Sequence, residues 1–128
     1  DQILFNLSRN YAICMREVIA RRNDLPETFV ESLSKDDSWF VRKSIALRKD
    51  LTNDIIKQLS EDLDRDVRSA IARRENLTNT IIDRLSNDEE SSVRLVIANR
   101  KQLPIEIIER LAKDPSIHIR KAITYHIR

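Results

Sequence analysis

The stretch that decides the fold runs from Val41 to Asp66 and reads VRKSIALRKDLTNDIIKQLSEDLDRD. The following 26 residues, Val67 to Ser92, read VRSAIARRENLTNTIIDRLSNDEESS and are identical to it at 13 positions. The same phase continues through the chain without insertion or deletion. We therefore interpret the chain as one repeat domain, 1–128, with the phases 1–14 (partial), 15–40, 41–66, 67–92, 93–118 and 119–128 (partial).

Each unit contains two short helical patterns. In the first, apolar residues stand at i, i+1 and i+4, as in Ile55, Ile56 and Leu59, which places them on one helix face. The second pattern runs from about Ser38 to Arg48, and its apolar residues are four apart. Helices of about ten residues are marginal alone, so neighbouring units must share a core. The first patterns cover 26–34, 52–60, 78–86 and 104–112.

Several residues mark where the helices begin. We expect Pro26 and Pro104 in the first turn of the first helices, where a missing N–H costs nothing. Thr52 and Thr78 stand at the same phase and are expected to cap the N-terminus instead. The expected N-caps of the second helices are Ser38, Asp64 and Ser116.

Stacked copies of such a hairpin bury a continuous core. The sequence therefore predicts an all-α, right-handed solenoid of about five 26-residue, two-helix units. A recurrent alanine supports close stacking, because its small side chain lets neighbouring helices approach each other. These alanines are Ala46, Ala72 and Ala98.

The amino-acid composition excludes several kinds of functional site. The chain has no glycine, which excludes a Gly-rich phosphate loop or dinucleotide fingerprint. Its single cysteine, Cys14, excludes an internal disulfide framework and a Cys₄ zinc site, and it fits a reducing compartment, which we take to be the cytoplasm. The 23 basic and 21 acidic residues give a net charge of +2, unlike that of a dedicated polyanion binder. No apolar run is long enough to span a membrane, and because the only methionine is Met15, we expect a fragment or processed product.

The unit resembles the leucine-rich repeat variant, a HEAT-like α-solenoid repeat, through V-R-x-x-I-A-x-R-x-x-L-T/P-x-x-I-I-x-x-L-S-x-D. The resemblance implies a binding scaffold, with nucleic acid as the ligand of a few such solenoids. Arginines stand where that family often has asparagine, and no cysteine cluster that could hold a metal centre is present. The closest match comprises Val93-Arg94, Ile97-Ala98, Pro104, Ile107-Ile108, Leu111-Ala112 and Asp114-Pro115.

An aspartate and an arginine recur six residues apart in four units. We predict a structural ladder in which each arginine bonds a loop aspartate or loop carbonyl of its own or the adjacent unit. A row of anion-binding arginines is the alternative. The pairs are Asp36/Arg42, Asp62/Arg68, Asp88/Arg94 and Asp114/Arg120.

A second basic row consists of Arg22, Arg48, Arg74 and Arg100, and His126 has the next position in its phase. We expect these arginines in the last turn of the second helices, where a cation complements the helix dipole and the aliphatic stem packs. The alternative is an electropositive stripe that contacts an acidic partner or a phosphate backbone. This row supports the alternative function, a nucleic-acid-binding solenoid, for which the further contacts are Arg21, Lys43, Arg73 and Lys121.

The side of the second helices opposite the core differs from unit to unit. We predict that this face, usually the concave one in such solenoids, binds a protein or peptide partner. Its mixture of apolar, acidic and basic residues favours such a partner over a uniform polyanion. A surface under no constraint is the alternative. The predicted contact residues are Phe40, Lys43, Leu47, Asp66, Arg73, Leu95, Asn99, His118, Lys121 and Tyr125.

Catalysis and metal binding find little support in the sequence. Two histidines, His118 and His126, lack a third ligand at helix spacing, so we predict no metal, no cofactor and no enzymatic activity. For Trp39 we favour packing over a role as a binding hot spot. Phe5 and Ile127 are apolar at phases that are polar in other units, which suggests end-to-end self-association.

Overall fold

The computed structural model describes residues 13–127, and all regular structure in this range is helical. The prediction of an all-α chain is confirmed for these residues. The first helices are α2 (Glu27–Leu33), α4 (Asn53–Ser60), α6 (Asn79–Ser86) and α8 (Ile105–Leu111). The second helices are α1 (Ile13–Ala20), α3 (Trp39–Ala46), α5 (Arg65–Ala72), α7 (Ser91–Ala98) and α9 (Ile117–Ile123), and a 3₁₀-helix, Thr124–His126, follows α9.

Helix packing repeats from unit to unit. Each second helix contacts the second helix of the next unit, from α1 with α3 to α7 with α9. Each first helix also packs against the second helix that follows it, as α4 does against α5. In addition, α4 contacts α6, and α6 contacts α8. Within each class, helices begin 26 residues apart, so the packing has the period of the sequence.

The core is built from the same positions in successive units. Because fully burying an aliphatic side chain contributes about 1.5–3 kcal/mol, this recurrence supplies most of the stabilisation. The alanines expected to allow close stacking are fully buried. No area is exposed on Val41, Val67, Val93 and Ile119, or on Ile45, Ile71, Ile97 and Ile123.

Side-chain caps begin four of the helices as expected, and one expected cap is wrong. Ser116 lies at the N-cap position of α9 but makes no side-chain capping hydrogen bond. It supports the start of α9 through its backbone, since its N–H donates to Asp114 and its carbonyl accepts from the Arg120 N–H. The side-chain caps that form are Ser38, Thr52, Asp64 and Thr78.

The two prolines lie one residue earlier than expected. Pro26 and Pro104 are at the N-cap positions of α2 and α8, not inside the first turn. Their carbonyls accept the first helical hydrogen bonds, as from the Phe29 N–H at 3.0 Å. The physical advantage is the same, because the ring fixes φ and no N–H has to be satisfied.

Hydrogen bonds join the aspartates and arginines of the ladder across units. Arg68 Nε and Nη2 donate to the Asp88 carboxylate of the next unit at 2.7 and 3.1 Å, and its Nη1 donates to the Asp62 carbonyl of its own unit at 2.7 Å. Asp88 also accepts from the Glu90 N–H at 2.9 Å, just before α7. The fork therefore ties a helix to two loops. The same carboxylate contact joins Arg16 to Asp36, Arg42 to Asp62 and Arg94 to Asp114, and Arg120 Nη1 donates to the Asp114 carbonyl.

Arg68→Ala tests how much one rung of this ladder stabilises the protein. The change leaves the buried Asp88 carboxylate without its charged partner, so we expect the free energy of unfolding to fall by about 3 kcal/mol. Thermal melting followed by circular dichroism measures it. Arg65→Ala is the matched control, because its pair with Glu90 is exposed at 3.6 Å and is expected to contribute less than about 1 kcal/mol. Equal melting temperatures for the two variants would contradict this prediction.

Candidate functional site

Most residues of the predicted contact face are exposed in the structure. Lys43 and Leu95 differ, because they are half-buried, and Ser69 at the same phase is buried. In α3, α5 and α7 this phase lies at the edge of the contact between second helices, which corrects the expectation that it faces open solvent there. The exposed members of the predicted set are Phe40, Leu47, Asp66, Arg73, Asn99, His118, Lys121 and Tyr125.

The second helix α3 presents two large apolar side chains on this face. Phe40 is 46% exposed, and Leu47, which directly follows the helix, is 60% exposed. Trp39 stacks on Phe40, with ring centroids 5.3 Å apart. Trp39 is itself 43% exposed, so it packs on Phe40 at the surface and is not part of the buried core. Exposed aromatic groups of this kind are typical anchors for a binding partner.

Leu63 is an exposed apolar residue that the sequence analysis missed. It lies in the loop before α5 and is 97% exposed. The signal was available, because the other complete units have Asp37, Glu89 and Pro115 at this phase. An apolar residue at a phase that is otherwise polar or part of a turn indicates a local role other than packing.

A cavity of about 770 Å³ is lined by residues of helices α1 and α3 and of the segments that follow these two helices. Phe40 and Leu47 form part of its wall, together with Lys43. Arg21 and Glu17 line the same cavity and pair with each other at 3.1 Å. Lys43 makes no ion pair with any residue in the described part of the chain. The cavity therefore combines the apolar groups of Phe40 and Leu47 with two lysines, Lys43 and Lys49, that make no ion pair within residues 13–127.

The second basic row does not occupy the last helical turn. The second helices end at an alanine two residues before each arginine, so the guanidinium groups reach across to the preceding unit. Arg48 Nη1, for example, donates to the carbonyls of Ala20 and Arg22 at 2.7 Å each. These cations complement a helix dipole as expected, but it is the dipole of the preceding second helix. Equivalent contacts join Arg74 to the Ala46 and Arg48 carbonyls, Arg100 to those of Ala72 and Arg74, and His126 to that of Ala98.

The residue two positions after each arginine of this row differs along the chain. Arg22 and Arg48 each hold an aspartate two residues further on, Asp24 and Asp50. The hydrogen bond from Arg48 lowers the pKa of the Asp50 carboxyl below its ordinary value. The corresponding positions after Arg74 and Arg100 hold neutral amides, Asn76 and Gln102.

Burial shifts the pKa of the two arginines without such an aspartate. It lowers the pKa of both Arg74 and Arg100, and the charges of Asp50 and Glu75 only partly offset it. Both groups remain cationic, because an arginine pKa starts above 12. Whether this row contacts an anion stays a prediction. Its geometry shows that Nη1 of three members is already hydrogen-bonded within the protein.

A third recurrent set of polar contacts was not anticipated. Three serines are buried at the ends of first helices, and each hydroxyl donates to the carbonyl three residues earlier at 2.6 Å. Each hydroxyl also accepts from a long side chain of the next unit. The 26-residue spacing of the serines was the available signal. The pairs are Ser34 with Gln58, Ser60 with Arg84 and Ser86 with Arg110.

Several other features bear on function. Residues 13–127 contain no group of three side chains that could hold a metal ion. None of their helices combines the length and the apolar character that crossing a bilayer requires. Ile127 is exposed, whereas Phe5 lies outside the described residues, so self-association stays a prediction.

Comparisons with protein-family models, with curated proteins and with solved structures found no match. The resemblance to the leucine-rich repeat variant therefore stays a prediction. Function has to be inferred from the side chains and contacts described above.

The ladder aspartate Asp114 makes stability depend on acid pH. Burial alone would raise the pKa of Asp114, but hydrogen bonds from Arg94 and the Ser116 N–H outweigh burial, so the pKa lies below its ordinary value of 3.8. The stabilisation is therefore present above about pH 4 and is lost as pH falls through the lower, folded-state pKa. We expect the urea midpoint to fall in that range for the native sequence.

Asp114→Asn is expected to lower the midpoint at neutral pH and to flatten its fall in acid. The neutral amide cannot take up the proton that links Asp114 to pH. Asp37→Asn, at an exposed position of an equivalent loop, is the control and should stay close to the native sequence. Parallel curves for Asp114→Asn and the native sequence between about pH 7 and about pH 2 would contradict this assignment.

Proposed function

We propose that the chain is a right-handed solenoid of about five HEAT-like units, of the leucine-rich repeat variant kind, and a non-enzymatic scaffold for a protein or peptide partner. The 26-residue recurrence of helix starts and of inter-unit hydrogen bonds supports the architecture. A cytoplasmic location is part of this proposal. It is supported by the exposed free thiol of Cys14, since exposed thiols persist best in reducing compartments.

The observation that carries the proposal is the exposed apolar pair Phe40 and Leu47 on the wall of the 770 Å³ cavity. Positions needed for packing recur in every unit, whereas these two phases hold Asp66 and Arg73 in the next unit. Packing therefore does not require apolar residues there. Removing them from water on binding would contribute about 25 cal/mol per Å² of covered apolar surface.

The surroundings of this pair favour a peptide with mixed chemistry. Lys43 lies on the cavity wall between the two apolar groups in sequence and lacks an ion-pair partner in the described chain. An apolar side chain that fills the cavity and a nearby acidic group would satisfy both features. We expect two or three such anchors to supply most of the binding energy.

A displayed library of random 12-residue peptides tests this proposal. We expect selection on the native sequence to enrich peptides with an aromatic or large aliphatic residue. The double variant Phe40→Glu and Leu47→Glu should weaken their binding by about a hundredfold, as loss of a buried hot spot does. Fluorescence anisotropy with a labelled selected peptide measures this change.

The matched control is Lys57→Glu, at an exposed position of the first helix α4 on a different surface. It should bind the selected peptides as the native sequence does. Circular dichroism checks that all variants are folded. No enriched peptide, or equal binding by the double variant, would contradict the proposed face.

The alternative function, nucleic-acid binding through the second basic row, calls for a separate measurement. The neutral residues after Arg74 and Arg100 favour it, because neither guanidinium group is hydrogen-bonded to a carboxylate as those of Arg22 and Arg48 are. Labelled duplex DNA and single-stranded RNA are titrated at about 50 and 200 mM salt. Tight binding with a steep salt dependence would support this alternative, and no binding at low salt would remove it.

A further inference from the structure

The protein contains an occupied carboxylate site beside the second basic row. Arg48 Nε and Nη2 each donate to one oxygen of Asp50 at 3.0 Å, while Nη1 is held by two backbone carbonyls. The Arg48 side chain is 7% exposed, and the Asp50 side chain is 58% exposed. A carboxylate can thus sit at the surface and still reach both donors of a buried guanidinium group.

The same site recurs at Arg100 without its carboxylate. Arg100 Nη1 again donates to two carbonyls, those of Ala72 and Arg74, at 3.0 and 2.6 Å. Gln102 takes the place that Asp50 has relative to Arg48. Arg100 Nε is shielded from solvent and has no hydrogen-bond partner in the described chain, and Nη2 donates only to the Glu75 carbonyl at 2.9 Å. An unsatisfied buried donor of this kind is costly, most of all when it is charged.

The surroundings of Arg100 add further positive charge. A cavity of about 700 Å³ beside it is lined by Arg73 and Lys101 as well as by Arg100, with Glu75 as the one carboxylate in its wall. None of these four residues forms an ion pair within residues 13–127. Burial also lowers the Arg100 pKa, which indicates that its charge is poorly compensated.

We propose that Arg100 is the receptor for a side-chain carboxylate of an acidic peptide, held by Nε and Nη2 as Asp50 is held by Arg48. This inference rests on the proposed function for the peptide nature of the partner. It adds a second contact point, in the unit 93–118, to the apolar one on α3. The peptide has an aspartate or glutamate at the position that meets Arg100.

The occupied site favours a carboxylate over a phosphate backbone. Planar bidentate pairing of guanidinium with carboxylate is the interaction that Arg48 already makes. A nucleic acid gains affinity by contacting many cations along a strand. Within the second basic row, Arg22 and Arg48 are already paired with their own aspartates, so only Arg74 and Arg100 lack a carboxylate partner.

Arginine side-chain NMR tests the site directly, because each Nε–H gives its own resonance. The probes are N-acetyl-aspartate amide, its neutral counterpart N-acetyl-asparagine amide, and inorganic phosphate. We expect the aspartate probe to shift the Arg100 Nε–H resonance saturably at about millimolar concentration, and the asparagine probe to have little effect. Arg48 is the internal control, because Asp50 blocks the same donors.

Two substitutions at the exposed position 102 make the test specific. Gln102→Asp places a carboxylate where Asp50 lies relative to Arg48, so it should weaken the response to the aspartate probe by about tenfold or more. Gln102→Asn keeps the position neutral and should retain the response. Equal shifts of Arg48 and Arg100, no shift of Arg100, or a response only to phosphate would each overturn the proposal.

Peptides selected on the α3 face separate this inference from the proposed function. Both proposals are supported if the selected peptides bind the native sequence and carry acidic residues. Replacing those acidic residues by amides should then weaken binding to the native sequence, in which residue 102 is neutral, but not to Gln102→Asp. Peptides that bind equally well to Gln102→Asp overturn the Arg100 site and leave the α3 face intact. Tight binding of single-stranded RNA that abolishes the probe response would overturn the choice of a peptide ligand.

Discussion

Short helices that cannot stand alone are the constraint on which the rest of the structure depends. The α-helices of residues 13–127 have seven or eight residues, well below the length at which an isolated helix is stable in water. Each must therefore bury its apolar side chains against the next unit, which explains why Val67 and Ile71 have no exposed area. It also explains why polar contacts between units recur: an unpaired polar group in such a thin core would be costly.

Arginine side chains satisfy polar groups between neighbouring units in three ways. The ladder arginines hold the next unit's aspartate and their own loop carbonyl with one planar fork, which a lysine could not do. The second row covers the carbonyl ends of preceding helices, and Arg84 and Arg110 reach the serines at the ends of first helices. The high content of charged residues thus serves internal connections as much as the surface.

Period and burial were predictable from the sequence because both depend on residue type at a fixed spacing. Helix positions, the Thr52 and Thr78 caps and the buried alanines all follow from the 26-residue phase. Which neighbouring group a long side chain reaches was less predictable. The phase assigned Arg48 to its own helix end, whereas a long side chain two residues beyond Ala46 reaches the preceding one. The exposure of Trp39 likewise depends on how a loop turns, which an isolated residue in one unit does not reveal.

Differences between equivalent positions are where function can be sought in such a chain. A residue that recurs in every unit is explained by packing. A residue that varies between units while its contacts stay the same has no evident effect on stability. The step from Asp50 to Gln102 is of a third kind, because it removes a partner while the recurrent arginine remains. Arg100 keeps its carbonyl contacts and hence its structural role, yet its Nε is left unsatisfied. A carboxylate from outside that displaces the side chains shielding Nε can restore that missing hydrogen bond.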